Sequence, residues 1–293
     1  QNPQVEIDII KAELEDLENN LFQVKGSDIS KKQLRALEDS KKSLIKRMKE
    51  HQNEINSHKD ENVLSFDDLG IDHIIIDESH QFKNLTFQTR HRRVAGLGNQ
   101  KGSQMASNLL TAIRTIQKNT PTGEGGATFF SGTPISNSIT ELYLLHKFLT
   151  PKQLENRKIS NFDSWASVFA MKSVEFEVNM VNQIIPKERF RYFINVPELI
   201  KMYKDMSHIM FGGSLIDRPN KNEYLLENEQ TPLQRRFYHK LATFLRTGDQ
   251  SILNLEKPIK LDPKKQALSI TAMSQAFKAS LDMRLINSSY PDE

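Results

Sequence analysis

Two adjacent carboxylates at Asp77 and Glu78 are the side chains of this sequence best suited to phosphate chemistry. They follow an apolar run that ends in three consecutive isoleucines, and they precede Ser79 and His80. An apolar run without helical spacing predicts a strand over residues 71–76 that is buried on both faces, as in a parallel sheet covered by helices. Open sheets of this kind bind ligands at the carboxyl ends of their strands. A carboxylate pair there can hold hydrated Mg²⁺ and orient a water against a phosphate, although an isolated Asp-Glu can also cap a turn.

A second polar stretch, Ser-Gly-Thr-Pro at residues 131–134, is predicted to lie beside the first. It follows a short apolar run at 127–130, and a helical apolar pattern over 103–118 separates the two runs. Strand, helix and strand in this order predict one right-handed crossover with parallel strands. The carboxyl ends of both strands would then lie on the same edge of the sheet, so the two polar stretches would form one site.

Composition excludes several classes of protein. The 293 residues include 40 Lys and Arg against 37 Asp and Glu, so any polyanion site must come from local clustering. The absence of cysteine excludes a disulfide framework and thiolate metal sites. No apolar run reaches membrane-spanning length and no signal peptide is visible, so we expect a cytoplasmic protein without a membrane partner. The chain is expected to be a piece of a longer protein.

The first sixty residues have the pattern of two long helices. Apolar residues recur at alternating steps of three and four, which predicts a coiled-coil seam: Ile7, Ile10, Leu14, Leu17, Leu21 and Val24. The stretch 26–28, Gly-Ser-Asp, interrupts the pattern, which resumes over 34–55. Two such helices with a short connection predict an antiparallel hairpin. Its lysines are interleaved with acidic residues, which favours a solvated face over a phosphate-binding one.

The later residues predict a core helix and a hairpin of strands. Phe162, Trp165 and Phe169 recur at helical spacing, which is typical of a buried face. Residues 174–181 and 189–195 alternate like two paired strands. Arg189 and Arg191 alternate there with aromatic residues, a pattern that fits single-strand binding and an amphipathic edge hairpin equally well. A polar linker is predicted over 247–265 and a further helix over 277–285.

Several of these stretches resemble the Swi/Snf-type branch of the superfamily-two helicases. Residues 77–80 resemble its Asp-Glu-x-His box, the Walker B element, and Lys-Asn at 83–84 also follows that box in the branch. Residues 131–138 and the helix behind them, which ends near 151, are similar to its third motif. Residues 231–234, Thr-Pro-Leu-Gln, resemble the segment before the second RecA-like lobe. Blocks around 66–72, 162–166 and 281–285 are similar to the helicase part of DNA methylase–helicase fusion proteins of phages and mobile elements.

The resemblance implies roles for individual residues. Asp77 would hold Mg²⁺ through water, Glu78 would orient and deprotonate the attacking water, and His80 would link the nucleotide to motif three. Ser131 and Thr133 would be hydroxyl relays toward DNA, so these five residues form the expected catalytic set. The cofactors would be ATP and Mg, and the partner would be DNA, expected to be double-stranded. Residues expected to contact DNA are basic or polar: Lys83, Arg90, Arg92, Arg93, Asn137, Arg189 and Arg191.

The sequence also departs from the family pattern. No Walker A sequence occurs in the 293 residues, and the second RecA-like lobe with its arginine finger is not found. The missing Walker A segment and second lobe are therefore expected from the same longer polypeptide. The fold class expected is α/β, a partial RecA-like parallel sheet with flanking helices, an N-terminal antiparallel coiled-coil hairpin and a mostly helical C-terminal extension. The expected segments are 1–62 for the hairpin, 63–155 for the partial first lobe, 156–245 for a helical extension with a β-hairpin, and 246–293 for a linker and helix.

Two alternatives belong to other functional classes. A metal-dependent hydrolase could use Asp77, Glu78, His80 and His91, although His91 lies in a predicted loop and not on a rigid frame. A non-catalytic interaction module could be built on the coiled-coil hairpin with a degenerate ATPase core behind it. On the helicase interpretation, the 293-residue chain alone is expected to be inactive, because it carries neither the phosphate-cradling lysine nor the finger.

Overall fold

The computed structural model describes residues 2–25, 31–57, 66–91, 94, 97, 102–136, 138, 140–178, 184–210, 221–257 and 267–291. Its secondary-structure elements, in chain order, are α1 (Pro3–Lys25), α2 (Lys31–Ser57), β1 (Ile74–Ile76), α3 (Gln104–Lys118), β2 (Ala127–Phe129), α4 (Thr140–Leu149), α5 (Pro151–Asn156), α6 (Phe162–Phe169), β3 (Ala170–Val178), β4 (Ile184–Phe193), α7 (Val196–Met206), α8 (Pro232–Thr247) and α9 (Ala267–Leu281). The chain forms two compact units, one of Gln1–Glu175 with Glu188–Ile209 and one of Phe176–Lys187 with Met210–Glu293.

The predicted strand–helix–strand crossover is present in the first unit. Strands β1 and β2 are parallel, with Ile74 opposite Ala127 and Ile76 opposite Phe129. Helix α3 connects them, and Ser103 is its N-cap, with a hydroxyl that accepts a hydrogen bond from the Ala106 amide. The α/β class with a small parallel sheet and flanking helices is therefore confirmed, while the assignment to a RecA-like sheet stays a prediction.

The prediction that β1 is buried on both faces is wrong. Side chains alternate across a sheet, so Ile75 and its partner Thr128 lie on the face opposite to Ala127 and Phe129. Ala127 and Phe129 pack against the main core, whereas Ile75 is 69 % exposed. The two strands form a two-stranded sheet, and Ile75 on its second face is largely open to solvent. A run of isoleucines does not reveal how many layers will cover it.

An aromatic cluster around α6 forms the core of the first unit. The predicted core face is confirmed, since Phe162, Trp165 and Phe169 are all fully buried. The ring of Phe162 lies 5.0 Å from that of Phe87 and 5.5 Å from that of Tyr143. Burial of each such side chain contributes roughly 1.5–3 kcal/mol, so this cluster is a main source of stability for the unit that carries the carboxylate pair.

The first two helices pack against each other in opposite directions. Their shared apolar cluster contains Ile10, Leu17, Leu37 and Leu44. His51 Nδ1 lies 2.9 Å from Glu6 Oε2, and an ion pair joins Glu18 to Lys41 at 2.7 Å, so the start of α1 meets the end of α2. This is the geometry of an antiparallel pair. Supercoiling of the pair stays a prediction, and the predicted break at 26–28 lies outside the described residues.

The second unit has its own core. Helices α8 and α9 contribute Phe237, Phe244 and Ala279 to it. A capping box begins α8, because Thr231 accepts a hydrogen bond from the Gln234 amide at 3.2 Å and the Gln234 side chain accepts one from the Thr231 amide at 3.0 Å.

Two stretches of the second unit differ from expectation. Within the predicted linker, the turn Gln250–Leu253 buries Leu253 completely in the core, so this turn is part of the folded unit. Helix α9 begins at Ala267, ten residues before the predicted start. Its apolar residues Ile270, Met273 and Phe277 are exposed, whereas the small residues Ala272 and Ala279 are buried, so the buried face of the helix is not its most apolar one. The predicted limits of the four segments stay predictions.

Candidate functional site at the ends of the two parallel strands

The two polar stretches lie side by side at the carboxyl ends of β1 and β2. Beyond the strands, the Phe130 amide donates to the Ile76 carbonyl at 2.8 Å, and the Ser79 amide donates to the Phe130 carbonyl at 2.9 Å. The backbone pairing therefore continues past both strands and holds residues 77–80 next to residues 130–131. The prediction that the two polar stretches lie together is therefore confirmed.

Glu78 has a backbone conformation that is unusual for its residue type. Its φ and ψ of 50° and 46° lie in the left-handed region, and it precedes the short turn Ser79–Phe82. A non-glycine residue in this region costs about 1–2 kcal/mol and is frequently found at functional sites. The Glu78 amide donates to Asp77 Oδ1 at 2.8 Å, which fixes the two residues relative to each other. Both side chains are exposed at the edge of the sheet.

His80 connects the carboxylate pair to the second stretch. Its Nδ1 lies 3.0 Å from Glu78 Oε2 and 3.5 Å from the Ser131 hydroxyl. The Thr133 amide in turn donates to the Ser131 hydroxyl at 3.1 Å. The structure thus brings together Glu78, His80, Ser131 and Thr133, with Asp77 adjacent through its hydrogen bond to the Glu78 amide.

A partly buried ion pair joins the residues that follow the two polar stretches. Lys83 Nζ lies 3.3 Å from Glu141 Oε1 and donates to the Ser136 hydroxyl at 2.7 Å. Glu141 is buried at the start of α4 and also accepts a hydrogen bond from the Ser136 amide at 2.5 Å. Lys83 was predicted to contact DNA; its ammonium binds Glu141 and Ser136, and the DNA contact stays a prediction. No role was assigned to Glu141 or to Ser136 from the sequence.

A second polar cluster holds the segment that leaves the site. Residues 83–91 form neither helix nor strand, yet Leu85, Phe87 and Thr89 are buried. The buried carboxylate of Asp163, in α6, accepts hydrogen bonds from the Thr89 hydroxyl at 2.5 Å and from the Arg90 amide at 3.0 Å. Asp163 therefore anchors the beginning of the predicted basic stretch 90–93.

His91 belongs to this second cluster. Its Nε2 lies 3.8 Å from Asp163 Oδ1, and its ring makes an edge contact with Phe190 at 5.3 Å. Burial lowers the pKa of His91, and the Asp163 carboxylate partly opposes that shift. The metal-hydrolase alternative required His91 together with Glu78 and His80. Among the described residues no group of three or more such side chains is placed to hold a metal ion, so the structure does not support that alternative.

The remaining residues expected to contact DNA are distributed differently. Arg191, on β4, forms an ion pair with Glu175 on β3, so part of its charge is neutralised across the hairpin. Arg189 is partly buried on the same strand. Arg90 is exposed and lies 4.0 Å from Asp163 through its Nε. Arg92, Arg93 and Asn137 lie outside the described residues.

The exposed carboxylates of Asp77 and Glu78 fit a magnesium ion of the kind bound with a substrate phosphate. Mg²⁺ in such sites keeps several waters and uses one or two carboxylates plus phosphate oxygens, and it needs no cage of protein ligands. Two oxygen-bearing side chains at an open edge meet that requirement.

None of the described helices has both the length and the apolar composition required to cross a membrane.

Comparison with known proteins identifies the family of the chain. A family model described as a probable helicase domain matches residues 1–210. No curated protein and no solved structure matches the chain. The matched residues include both polar stretches, the Lys83–Glu141 ion pair and the Asp163 cluster, and they span most of the 293 residues. The chain therefore belongs to the probable helicase domain family.

Proposed function

We propose that the chain is part of an ATP-dependent DNA translocase of the Swi/Snf type, with residues 77–80 as its Walker B box and residues 131–134 as its coupling motif. Family membership supports a helicase-like function. The single observation that carries the finer proposal is the position of His80, within 3.0 Å of Glu78 Oε2 and 3.5 Å of the Ser131 hydroxyl. One imidazole thus touches a group on each of the two stretches.

The proposed roles follow from the position of each side chain. Glu78 is exposed at the strand end, where its carboxylate would orient a water toward the terminal phosphate of ATP and take its proton. Asp77 would hold Mg²⁺ through water. When bound, that ion would neutralise charge on the phosphate oxygens.

His80 would pass a change at Glu78 to the coupling motif. Because its Nδ1 lies near both the Glu78 carboxylate and the Ser131 hydroxyl, the imidazole could strengthen one contact as the other lengthens. The Ser131 hydroxyl also accepts from the Thr133 amide, so a shift of Ser131 would move the 131–133 backbone. The contacts from Glu78 through His80 and Ser131 to Thr133 would thus couple the nucleotide to the side that faces DNA.

The chain itself carries no Walker A sequence. We propose that the phosphate-binding lysine and the arginine finger come from other parts of the parent polypeptide. Loss of a finger alone typically costs about 10³–10⁵ in turnover. The isolated 293-residue chain should therefore neither bind ATP tightly nor hydrolyse it. Turnover by the isolated chain that duplex DNA stimulates, in a phosphate-release assay, would refute this expectation.

The decisive experiment compares ATPase rates of the parent protein with and without duplex DNA. Changing Glu78→Gln should lower the DNA-stimulated rate by about 10²–10⁴, the usual contribution of a general base, and leave ATP binding intact. Glu38→Gln, at an exposed position of α2, is the matched control and should leave the rate unchanged. Equal DNA-stimulated rates for the Glu78 variant and the unmodified protein would overturn the role proposed for Glu78, and the absence of any DNA-stimulated rate would favour a non-catalytic module built on the helical pair.

A further inference from the structure

Helix α8 has an outer face whose charged side chains are all basic. The helix contains no aspartate and no glutamate. All of its arginine, lysine and histidine side chains are exposed to solvent. They are Arg235, Arg236, His239, Lys240 and Arg246.

These side chains form one continuous strip. At about 100° per residue they fall within roughly 140° of the helix circumference, together with Thr243 and Thr247. From Arg235 to Arg246 the strip extends for about 16 Å, at 1.5 Å per residue. The opposite side of α8 buries Phe237, Leu241 and Phe244 in the core of the second unit. The strip is therefore fixed on a folded surface.

The charge of the strip is not neutralised by neighbouring acids. Within the described part of the chain, none of the five basic side chains forms an ion pair, whereas on α2 Lys41 pairs with Glu18 and Lys46 with Glu50. Two carboxylates of the second unit have local partners, since Asp249 accepts from the Ser251 amide and Asp282 binds Arg284. A surface with several unpaired cations and no acid attracts polyanions.

We infer that this strip, which we call the α8 basic face, binds the phosphate backbone of nucleic acid. Duplex DNA carries one negative charge per about 1.7 Å of its axis, so a face about 16 Å long can meet several phosphates at once. Arginine, lysine and threonine are the side chains that commonly contact phosphate oxygens, and such contacts do not depend on base sequence.

Helix α8 itself lacks the exposed apolar side of a lipid-binding helix. A helix that binds a lipid surface needs an exposed apolar side beside its cationic one. In α8 that apolar side is buried, with Phe237 and Phe244 each exposed by no more than 2 %. A small phosphate ligand fits less well, because the cations are spread along the helix and do not converge on a pocket. The choice of nucleic acid among extended polyanions rests on the proposed function, while the face itself lies outside residues 1–210 that match the family.

The test is DNA binding by the full 293-residue chain without nucleotide. Affinity for a fluorescein-labelled duplex of arbitrary sequence is measured by anisotropy between about 50 and 200 mM salt. The α8 variant combines four neutralising changes: Arg235→Gln, Arg236→Gln, Lys240→Gln and Arg246→Gln. The control removes the same charge from exposed positions of α2, where acids are interleaved: Arg35→Gln, Lys42→Gln, Lys46→Gln and Lys49→Gln.

The α8 variant should bind at least about tenfold more weakly than the unmodified chain, and the slope of log affinity against log salt should become shallower by about 3–4, near 0.9 for each lost phosphate contact. The α2 control should change affinity by no more than about twofold. An α8 variant in which Arg235, Arg236 and Arg246 become Lys keeps the charge and should bind within about threefold of the unmodified chain.

Several results would overturn the inference. The first is an equal loss of DNA affinity in the α8 and α2 variants, and the second is unchanged DNA affinity of the α8 variant. The third, from a parallel binding measurement with anionic phosphatidylserine vesicles, is an α8 variant that loses affinity for the vesicles but not for DNA. All substituted side chains are exposed, and circular dichroism melting curves confirm that each variant folds before its affinity is used. Because the assay contains no ATP, its outcome is independent of the Glu78→Gln test. A failure of either proposal can thus be distinguished from a failure of the other.

Discussion

The ion pair between Lys83 and Glu141 should stabilise the first unit measurably. It joins the turn after the carboxylate pair to the first turn of α4, with Nζ and Oε1 3.3 Å apart. The side chains are 28 % and 7 % exposed, so this pair is shielded more than an ordinary surface pair. Removing either partner disturbs a contact between the two halves of the candidate site.

The expected magnitude follows from distance and burial. At 3.3 Å and an effective dielectric constant of about 20 the gross attraction is about 5 kcal/mol, most of which the desolvation of both charges offsets. Lys83→Met leaves a buried carboxylate with its Ser136 donors and should destabilise the unit by about 2 kcal/mol. Glu141→Gln leaves a partly exposed ammonium that can turn to solvent and should cost about 1 kcal/mol. The double variant should cost less than the sum, which gives a coupling energy of about 1–2 kcal/mol.

Urea unfolding followed by fluorescence measures this coupling. Trp165 is the only tryptophan and is fully buried in the first unit, so its emission reports that unit. The control cycle uses Lys152 and Glu155, an exposed pair at 2.7 Å whose coupling should stay below about 0.5 kcal/mol. A coupling of less than about 0.5 kcal/mol for Lys83 and Glu141 would refute the claim that burial makes this pair the stronger one.

Three further changes test other features of the structure. The variants Glu78→Gly and Glu78→Ala both remove the carboxylate, but only glycine relieves the left-handed backbone. The free energy of unfolding should therefore be about 0.5–1 kcal/mol higher for Glu78→Gly than for Glu78→Ala, and equal urea midpoints would contradict this. Burial raises the pKa of Asp16 to about 6, so the stability that its protonated form contributes is present below pH 4 and is lost as the pH rises to 6. In urea titrations, the free energy of unfolding of Asp16→Asn should be higher than that of the unmodified protein by about 2 kcal/mol at pH 7 and equal to it near pH 4. The control Asp39→Asn, at an exposed position, should show no such difference between the two pH values. Gly126→Ala should lower thermal stability by more than about 2 kcal/mol, since φ is 74° and its Cβ would lie 2.4 Å from Ile116 Cγ2, and an unchanged melting temperature would show that the loop relaxes freely.

The crossover that forms the site was predictable from sequence because its signals are local. Apolar runs mark both strands, and Ser103 and the glycines after Lys118 mark the limits of the helix between them. Right-handed crossover geometry then places the two strand ends together without knowledge of any other contact. The parallel register of β1 and β2 confirms that reasoning.

The contacts below the site were not predictable, because they join residues far apart in sequence. Lys83 meets Ser136 across 53 positions, and Thr89 meets Asp163 across 74. Nothing in either local pattern specifies which carboxylate will face which cation. The exposure of Ile75 has a related cause, since burial of a strand depends on how many elements pack over it, and composition does not encode that number.

Residues 83–91 form no helix or strand, but contacts at both ends and along the segment hold it in place. Both ends are held by buried carboxylates, and between them Leu85, Phe87 and Thr89 alternate inward. Inserting or deleting one residue would exchange inward for outward side chains along the whole stretch, as a register slip does in a strand. The contacts at both ends therefore fix the number of residues between Lys83 and Arg90, and with it the distance along the chain from the carboxylate pair to Arg90.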